Sequence, residues 1–485
     1  MQAIVVGGGI TGIHAAIKLH RAGYQVQIFE KSNKLFGVWD TWVNDYSRLQ
    51  VDSAVFSIDR HQPIYISNNS ERVFSNAQDI CQYYQAYMNE HDMMRHVRFN
   101  TEVLSYHVES NGKIRIIYQE NQENKVCHAD TLWIRTGSLG TPRQIVFPEE
   151  DQFQGPNVYG IRNGTQGIDF NNKKVVIIGM GAFAIENAIH ALRSGATHVT
   201  LLARSRRFVY SLSAIAEMGL QALNLKALLT NSGRIRGWQK VMALAKQAHE
   251  EAGLMEHYNK TTKCICGMDH AIWTGVGSSS DEFFLASKHN RLSIEDGIPA
   301  HFTANTITTS FDKTLEADIL IKCIGFEAND SLLKGKVFVD TMFDLESHGR
   351  VNHNMNIEKI NKPVFLGPMA NPNSFVLVSY PMFSDIFDTI CLKTIQEPKT
   401  AVKVWKSSSS GPNFDLNTIE GIDLTSHLAL FWKLIQRRYP YRWAIALIPF
   451  FRRVRQKLYT HVNHEYFERL RQEWERLDKY YKEYT

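Results

Sequence analysis

The chain has 485 residues, of which 44% are hydrophobic and 21% charged, a composition typical of folded globular proteins. Its length predicts about three domains. The formal net charge of +5 and the pI near 8.7 fall short of the concentrated basic surface of a nucleic-acid-binding protein. We therefore expect no nucleic acid as a partner.

The cysteines and the start of the chain favour a cytoplasmic protein. The six cysteines are scattered, and the one close pair is Cys-x-Cys without partners at zinc-ligand spacing. We therefore predict reduced thiols and no metal. The chain opens directly with a strand and a glycine loop, without room for a cleavable signal. No apolar run reaches the ~18–20 residues of a membrane-spanning helix.

A first dinucleotide-binding motif opens the chain. The apolar run from Ala3 to Val6 predicts a buried strand, and Gly7, Gly9 and Gly12 follow it in G-x-G-x-x-G spacing. These glycines permit a tight turn, the approach of the backbone to a pyrophosphate and close packing of the next helix. The free N–H groups of that helix then face the phosphate.

An acidic residue ends the second predicted strand, YQVQIFEK, at Glu30. A carboxylate about 20 positions after the glycines accepts hydrogen bonds from a ribose and repels a 2′-phosphate. The first site therefore favours FAD or NAD over NADP. The next residue, Lys31, is included in the predicted cofactor-binding set.

The same unit recurs in the middle of the chain. The run KKVVIIG leads into Gly179 and Gly181, with Ala184 at the third position and a predicted helix behind it. The next predicted strand ends in a cluster of arginines: Arg204, Arg206 and Arg207. Guanidinium groups bind a 2′-phosphate bidentately, so this site favours NADPH over NADH. The alternative is an ordinary solvated basic loop.

Two such units, the first acidic and the second basic, resemble those of the class B flavoprotein monooxygenases. This family contains the flavin-containing and the Baeyer–Villiger monooxygenases, and the resemblance covers about residues 1–390. It also rests on LFGVWDTW with Gly37 and Trp39, on TGSLGTP with Thr136 and Gly137, and on CIGF with Gly325. The resemblance implies that these residues lie at the cofactors, and the predicted cofactor-binding set also includes Val103.

The chain departs from the family at three motif positions. Phe36 replaces the first glycine of G-G-x-W, and Cys323 replaces the alanine of A-T-G-Y. In the F-x-G-x-x-x-H segment between the two sites, Tyr159 stands at the histidine position and keeps a hydroxyl for hydrogen bonding. These departures keep a non-catalytic flavoprotein open as an alternative.

Asp52 is the predicted catalytic residue. By its spacing from Tyr46, it falls where the resemblance gives Baeyer–Villiger enzymes an aspartate and flavin-containing monooxygenases an asparagine. A buried carboxylate beside the flavin holds a cationic partner or moves a proton. The alternative is a turn aspartate that accepts hydrogen bonds from backbone N–H groups.

The resemblance implies that NADPH reduces FAD and that the flavin forms a C4a-(hydro)peroxide with O2. The predicted function is insertion of one oxygen atom into a small or lipophilic organic substrate. Heteroatom (N/S) oxygenation stands slightly ahead of Baeyer–Villiger oxidation of a ketone, because no motif marks the arginine of the ketone-oxidising enzymes. An FAD/NADPH reductase is a further alternative, but it needs a redox-active cysteine pair that the sequence lacks.

The predicted fold is α/β with two Rossmann-like dinucleotide-binding domains, the second inserted in the first, and an α-helical C-terminal extension. Residues 1–165 and 316–400 form the FAD-binding domain. Residues 166–315 form the NADPH-binding domain, with a helical insertion within 211–275. Residues 425–485 form the extension.

The extension is rich in aromatic and basic residues and has two interpretations. Arginines interleaved with apolar residues favour a helix on an anionic membrane surface, which makes the protein peripheral to a membrane. Alternatively, the segment packs on the body or on a second copy in a homodimer. Its last stretch, YFERLRQEWERLDKYYKEY, has the spacing of an amphipathic helix.

Overall fold

The computed structural model describes residues 1–50, 56, 75–137, 139–222, 231–263, 276–327, 332, 364–366, 392 and 464–483. The structural statements that follow concern these residues. The predicted catalytic Asp52 lies outside them.

The described part of the first 160 residues contains three α-helices and nine strands. The helices are α1 (Ile10–Arg21), α2 (Val38–Thr41) and α3 (Ala77–Glu90). The strands are β1 (Gln2–Val6), β2 (Gln25–Phe29), β3 (Val97–Arg98), β4 (Thr101–Val108), β5 (Ile114–Glu120), β6 (Glu123–Ala129), β7 (Thr131–Ile134), β8 (Thr141–Pro142) and β9 (Asn157–Tyr159).

The remaining described chain contains six more helices and eleven more strands. The helices are α4 (Ala182–Arg193), α5 (Leu212–Ala222), α6 (Asn231–Glu251), α7 (Met255–Lys263), α8 (Asp281–Lys288) and α9 (His464–Glu483). The strands are β10 (Lys174–Ile178), β11 (His198–Ala203), β12 (Phe208–Tyr210), β13 (Val276–Ser279), β14 (Leu292–Asp296), β15 (Pro299–Phe302), β16 (Thr306–Thr309), β17 (Thr314–Glu316), β18 (Ile319–Lys322), β19 (Phe326–Glu327) and β20 (Val364–Leu366).

The first sheet is five-stranded and parallel, in the order β20-β7-β1-β2-β3. Its central strand β1 is the apolar run that the sequence predicts, and Ala3 to Val6 are at most 5% exposed. Strands of a parallel sheet are buried on both faces, which explains why this run is continuously apolar rather than alternating. Helix α1 covers one face through Ile13 and Ile17.

The second sheet is also five-stranded and parallel, in the order β14-β11-β10-β18-β9. In chain order its strands all lie between β7 and β20 of the first sheet. Strands β9 and β18 lie outside 166–315, so this sheet extends past that predicted range on both sides. The mixed α/β fold predicted from the sequence is confirmed.

Smaller elements surround the two sheets. Strands β4-β5-β6 and β15-β16-β17 form antiparallel sheets, and β12 pairs with β13 in parallel. Antiparallel pairing of β8 with β19 joins the chain that follows β7 to the chain that follows β18. Helices α5, α6 and α7 all lie within the predicted helical insertion.

The C-terminal helix α9 packs on α8 of the second unit. Leu477 and Tyr481 are 8% and 1% exposed and belong to the apolar cluster of the second sheet. Asp478 accepts hydrogen bonds from Lys288 at 2.9 Å and pairs with His289 at 2.7 Å. Residues 425–463 of the predicted extension lie outside the described chain. Neither α9 nor any other described helix is long and apolar enough to cross a membrane.

Two stacked histidines are buried between α6 and α7. The rings of His249 and His257 are 5.5 Å apart, and both residues are at most 1% exposed. Neither ring nitrogen of His257 has a partner in hydrogen-bonding geometry, although the Arg207 backbone lies close enough to favour the protonated ring slightly. Burial lowers the pKa of His249 to about 4 and that of His257 to about 3. Both rings are therefore neutral at pH 7.

We predict that His257→Phe makes the protein less sensitive to acid. An unfolded histidine has a pKa near 6.5, above the folded value, so protons favour the unfolded chain below about pH 6.5. The wild type then loses about 1.4 kcal/mol of stability per pH unit for each ring, and phenylalanine removes one of the two contributions. Thermal unfolding at about pH 7.5, 6 and 5 measures the slope. Equal losses in both proteins would contradict the prediction.

Candidate functional site

The first glycine loop joins β1 to α1 and has no room for side chains. Gly7 adopts a φ of 106°, and its N–H donates to Phe29 O at 2.8 Å. A Cβ at Gly7 would lie 2.5 Å from Arg135 O, and a Cβ at Gly12 would lie 1.9 Å from Gly7 O. Both positions therefore require glycine.

The N-terminus of α1 is open to a ligand. Gly9 is its N-cap and provides no side-chain hydrogen bond to the first turn. By contrast, α3 begins with a capping box in which Asn76 and Asp79 satisfy the backbone reciprocally. Since the free N–H groups and the helix dipole favour an anion, the first turn of α1 is suited to a phosphate group.

Glu30 lies beside this loop, at the carboxyl end of β2. Its carboxylate accepts hydrogen bonds from Gly8 N at 2.6 Å and from Ser32 N and Oγ at 2.9 Å, and the residue is 9% exposed. The neighbouring Lys31 is exposed. Val103 is only 4% exposed because its side chain packs in the apolar cluster under the sheet. Its side chain is therefore not accessible to a cofactor.

The segment around Phe36 lies directly on the glycine loop. Phe36 N donates to Gly8 O at 2.9 Å, and a Cβ at Gly37 would lie 3.3 Å from Gly9 Cα. Phe36 and Gly37 have φ values of 69° and 56°, in the left-handed region. The phenylalanine therefore occupies a backbone conformation that glycine adopts more easily, as expected where the resembled family has glycine. Trp39, two residues after Gly37, is half-buried.

The end of β7 completes the first loop. Arg135 N donates to Val6 O at 2.7 Å, which brings Thr136 and Gly137 to the side of the glycine turn. Gly137 has a φ of 72°, and both residues are partly exposed. The structure therefore brings these predicted site residues together at the first loop.

The second glycine loop repeats this geometry between β10 and α4. Gly179 has a φ of 120°, its N–H donates to Leu202 O at 2.8 Å, and a Cβ there would lie 2.2 Å from Cys323 O. Gly181 is the N-cap of α4 without a side-chain cap, and a Cβ there would meet no atom within 4 Å. Ala184 is fully buried against the sheet.

The strand end beside the second loop also matches its counterpart in the first. Cys323 N donates to Ile178 O at 2.8 Å, as Arg135 N does to Val6 O, and Gly325 has a φ of 85°. The CIGF segment therefore occupies in the second unit the place that Thr136 and Gly137 occupy in the first.

The three predicted arginines differ in their surroundings. Arg204 and Arg207 are exposed. Arg206 is held by Asp296, with its Nε 2.7 Å and its Nη2 3.1 Å from the two carboxylate oxygens. Lys260 also contacts Asp296, at 3.0 Å. Asp296 was not predicted from the sequence, because its position beside the arginines depends on the pairing of β14 with β11.

A polar seam connects the two loops, and no sequence motif predicts it. It is formed by residues 41–50, which begin at the last residue of α2, and by residues 160–165, helix α4 and strand β13. Asn44 and Asn187, both at most 1% exposed, each donate a side-chain hydrogen bond to Gly160 O, at 3.1 and 2.8 Å. The Tyr46 hydroxyl donates to Asn187 Oδ1 at 2.7 Å. Gln50, next to the undescribed residues around Asp52, accepts from Ser279 Oγ at 2.9 Å.

A partly buried carboxylate lies in the seam. Glu186 of α4 accepts hydrogen bonds from Ser47 Oγ at 2.8 Å and from Arg48 N at 3.3 Å. Burial raises its pKa to about 7, although both hydrogen bonds and the Arg48 charge act to lower it. The seam therefore carries an acid that titrates near neutral pH.

The sequence matches the family of pyridine nucleotide-disulphide oxidoreductases over residues 4–313. The chain belongs to this family. It is 25% identical over 352 residues to the probable FAD-binding monooxygenase AlmA of an Acinetobacter species, which covers 67% of this chain and 69% of that protein. It is 26% identical over 252 residues to a cyclohexanone 1,2-monooxygenase of an Acinetobacter species, which covers 51% and 45%.

The fold is similar to that of an oxidised steroid monooxygenase bound to NADP. The TM-score is 0.61 at 16% identity, with 90% of this chain and 98% of that chain covered. Together, the family match and the monooxygenase relatives confirm the predicted resemblance to the class B flavoprotein monooxygenases.

The described cysteines of this oxidoreductase are Cys81, Cys127 and Cys323, and all three are free thiols. Burial raises the pKa of each of them, that of Cys81 to about 12. A thiolate is the reactive form in disulphide exchange, so these three thiols are unreactive at neutral pH.

We predict that Gly12→Ala abolishes FAD binding. The new methyl group would lie 1.9 Å from Gly7 O, so the loop must open and lose the phosphate-binding geometry. The absorbance ratio of flavin to protein in the purified variant measures the FAD content. Gly181→Ala is the control, because the added Cβ meets no atom and lies in the other loop. A Gly12→Ala variant with full FAD content would refute this role.

Proposed function

We propose that this chain is an NADPH-dependent FAD monooxygenase that inserts one oxygen atom of O2 into a small or lipophilic organic substrate. The observation that carries the proposal is the pair of glycine loops. Each opens an uncapped helix, and a carboxylate follows the first whereas arginines follow the second. FAD and NADPH, the cofactors predicted from the sequence, agree with the FAD-binding and NADP-bound relatives.

The first loop fits FAD because its glycines leave a cradle against an open helix N-terminus, with Glu30 as the acceptor for the ribose. The FAD-binding residues that we propose are Gly7, Gly9, Gly12, Glu30, Lys31, Gly37, Trp39, Val103, Thr136 and Gly137. When bound, the flavin supplies the electron transfer and the oxygen chemistry.

The second loop fits NADPH for the same reason, with arginines in place of the acid. The NADPH-binding residues that we propose are Gly179, Gly181, Ala184, Arg204, Arg206, Arg207 and Gly325. Asp296 holds Arg206 in place, so Arg206 orients the arginine cluster. Arg204 is exposed and is therefore better placed to bind the 2′-phosphate directly.

The two units that we propose follow the sheets. The FAD-binding domain comprises residues 1–165 and 316–400 apart from β9 and β18. These two strands belong with residues 166–315 to the NADPH-binding domain, because they pair with its sheet. The role of residues 425–485, the membrane contact, the homodimer and the cytoplasmic location all stay predictions.

Aromatic side chains line the region between the loops. Trp42 contacts Phe326 edge to face at 5.8 Å, and Phe326 contacts Phe183, which follows the second loop, at 5.6 Å. All three rings are partly exposed. We propose that they form an apolar wall that excludes water from the reacting atoms, which limits the loss of reducing equivalents to hydrogen peroxide.

A ketone is the substrate class that we now place first. The sequence placed heteroatom oxygenation slightly ahead, but a relative with a named substrate is a cyclohexanone 1,2-monooxygenase. An aspartate at position 52 supports the same order. We propose that its carboxylate would hold a proton or a cationic group beside the bound flavin. Amine and sulfide oxygenation is the second candidate.

We predict that replacing Arg204, Arg206 and Arg207 together by alanine raises the KM for NADPH about tenfold or more and leaves the KM for NADH unchanged. Charge-assisted hydrogen bonds to the 2′-phosphate are worth about 1.5–3 kcal/mol each, and NADH lacks that group. Steady-state oxidation of both nucleotides measures the preference. Lys313→Ala, at an exposed lysine that pairs with Glu295, is the charge control. An unchanged preference would refute the assignment.

The reaction itself is tested with cyclic and linear ketones, alkyl sulfides and tertiary amines. We expect a ketone to accelerate NADPH oxidation and to yield an ester or lactone, with little hydrogen peroxide. Gas chromatography with mass spectrometry identifies the product, and a peroxidase assay measures the peroxide. Products from sulfides or amines alone would reverse the order, and NADPH oxidation that produces only peroxide with every compound would contradict a monooxygenase.

A further inference from the structure

The segment from Thr41 to Gln50 precedes the inserted unit in the chain, yet its polar groups bond to that unit. The Arg162 guanidinium donates to Thr41 O at 2.8 Å and lies 3.8 Å from the centre of the Trp42 ring. Asp45 N donates a hydrogen bond to Asn163 Oδ1 at 2.7 Å. At this end the segment is therefore attached to the stretch that follows β9, the edge strand of the second sheet.

Helix α4 provides the most buried part of this attachment. Glu186 accepts from Ser47, and Asn187 accepts from the Tyr46 hydroxyl. One turn later, the His190 ring stacks on Tyr46 with centroids 4.0 Å apart and planes 7° apart. The Tyr46 hydroxyl also lies 3.1 Å from Thr165 Oγ1. Tyr46 and Ser47 thus both contact the second unit through helix α4.

The packing leaves this arrangement little freedom. A Cβ at Gly160 would lie 2.6 Å from both Asn187 Nδ2 and Cys323 Sγ. Asn187 also donates to Phe183 O in the first turn of α4, at 2.7 Å. The Asn187 side chain is therefore bonded both to the first turn of α4, directly behind the second glycine loop, and to Tyr46 of the segment.

We propose that Glu186 and Asn187 are positioning residues. They hold the segment Thr41–Gln50, and with it the chain around Gly37 at the first glycine loop, in register with the helix whose N-terminus is proposed to bind NADPH. The proposal rests on the proposed function. Hydride transfer requires the two rings at near-contact distance, and a displacement of about 1 Å costs up to about a hundredfold in rate. Nucleotide binding, by contrast, depends on the glycine loop and the arginines.

The test is the separation of nucleotide affinity from flavin reduction in the holoenzyme. Asn187→Ala, Glu186→Gln and Tyr46→Phe are mixed anaerobically with NADPH, and bleaching of the flavin gives the limiting reduction rate. We expect Asn187→Ala and Glu186→Gln to lower this rate at least about tenfold, while the Kd for NADP⁺ stays within about threefold of the wild type. The perturbation of the flavin spectrum by saturating NADP⁺ should fall by at least about half.

A double-mutant cycle tests the contact itself. Because Tyr46 acts through Asn187, the combined Tyr46→Phe, Asn187→Ala variant should reduce no more slowly than Asn187→Ala alone. Glu282→Gln is the control: this carboxylate bonds to Arg193 at the far end of α4, outside the seam, and its loss should leave the reduction rate unchanged.

Three results would overturn the inference. One is an unchanged reduction rate in Asn187→Ala and Glu186→Gln with full FAD content. Another is a parallel loss of FAD content, thermal stability and NADP⁺ affinity, which indicates a merely structural role. Should Asn187→Ala fail to fold, Tyr46→Phe decides, since an unchanged rate and spectrum there also refute the proposal. A wild-type flavin that NADPH does not reduce would instead remove the proposed function, and this inference with it.

Discussion

The structure depends on one constraint that occurs twice, the close approach of a glycine turn to the end of a neighbouring strand. A Cβ would lie 2.5 Å from Arg135 O at Gly7 and 2.2 Å from Cys323 O at Gly179. The contact lets each helix begin directly behind its strand, with its N–H groups free for a phosphate. The carboxylate after the first loop and the arginines after the second lie at the ends of β2 and β11, which pair with β1 and β10.

Much of this arrangement could be predicted because it is local in the sequence. The glycine spacing, the apolar runs and the residue that ends the next strand all lie within about 30 positions of one another. The seam could not be predicted, because Asn44 and Asn187 are 143 residues apart in sequence and meet only through Gly160. Asp296 could not be predicted for the same reason, because its contact with Arg206 depends on the pairing of β14 with β11.

The departures from the family motifs have local physical explanations. Phe36 adopts a left-handed backbone conformation that an aromatic residue rarely takes. The loop therefore keeps the backbone conformation that glycine would adopt there, at a cost in strain. Tyr159 accepts a hydrogen bond from Ile145 N at 3.0 Å, and its ring lies 4.6 Å from Lys322 Nζ, whose ammonium forms a buried pair with Glu150. Tyr159 therefore stabilises the packing of the chain around Ile145 against β9 and β18 of the second sheet. Neither departure removes a group that touches the glycine loops.

The two dinucleotide sites joined through the seam together form the proposed oxygenating centre. The most direct test is to reduce the purified holoenzyme anaerobically with one equivalent of NADPH and then to add ¹⁸O2 together with a ketone that stimulates turnover. We expect the flavin to bleach and the product to carry one ¹⁸O atom for each NADPH consumed. Label that appears only in hydrogen peroxide, or a flavin that NADPH does not bleach, would contradict it.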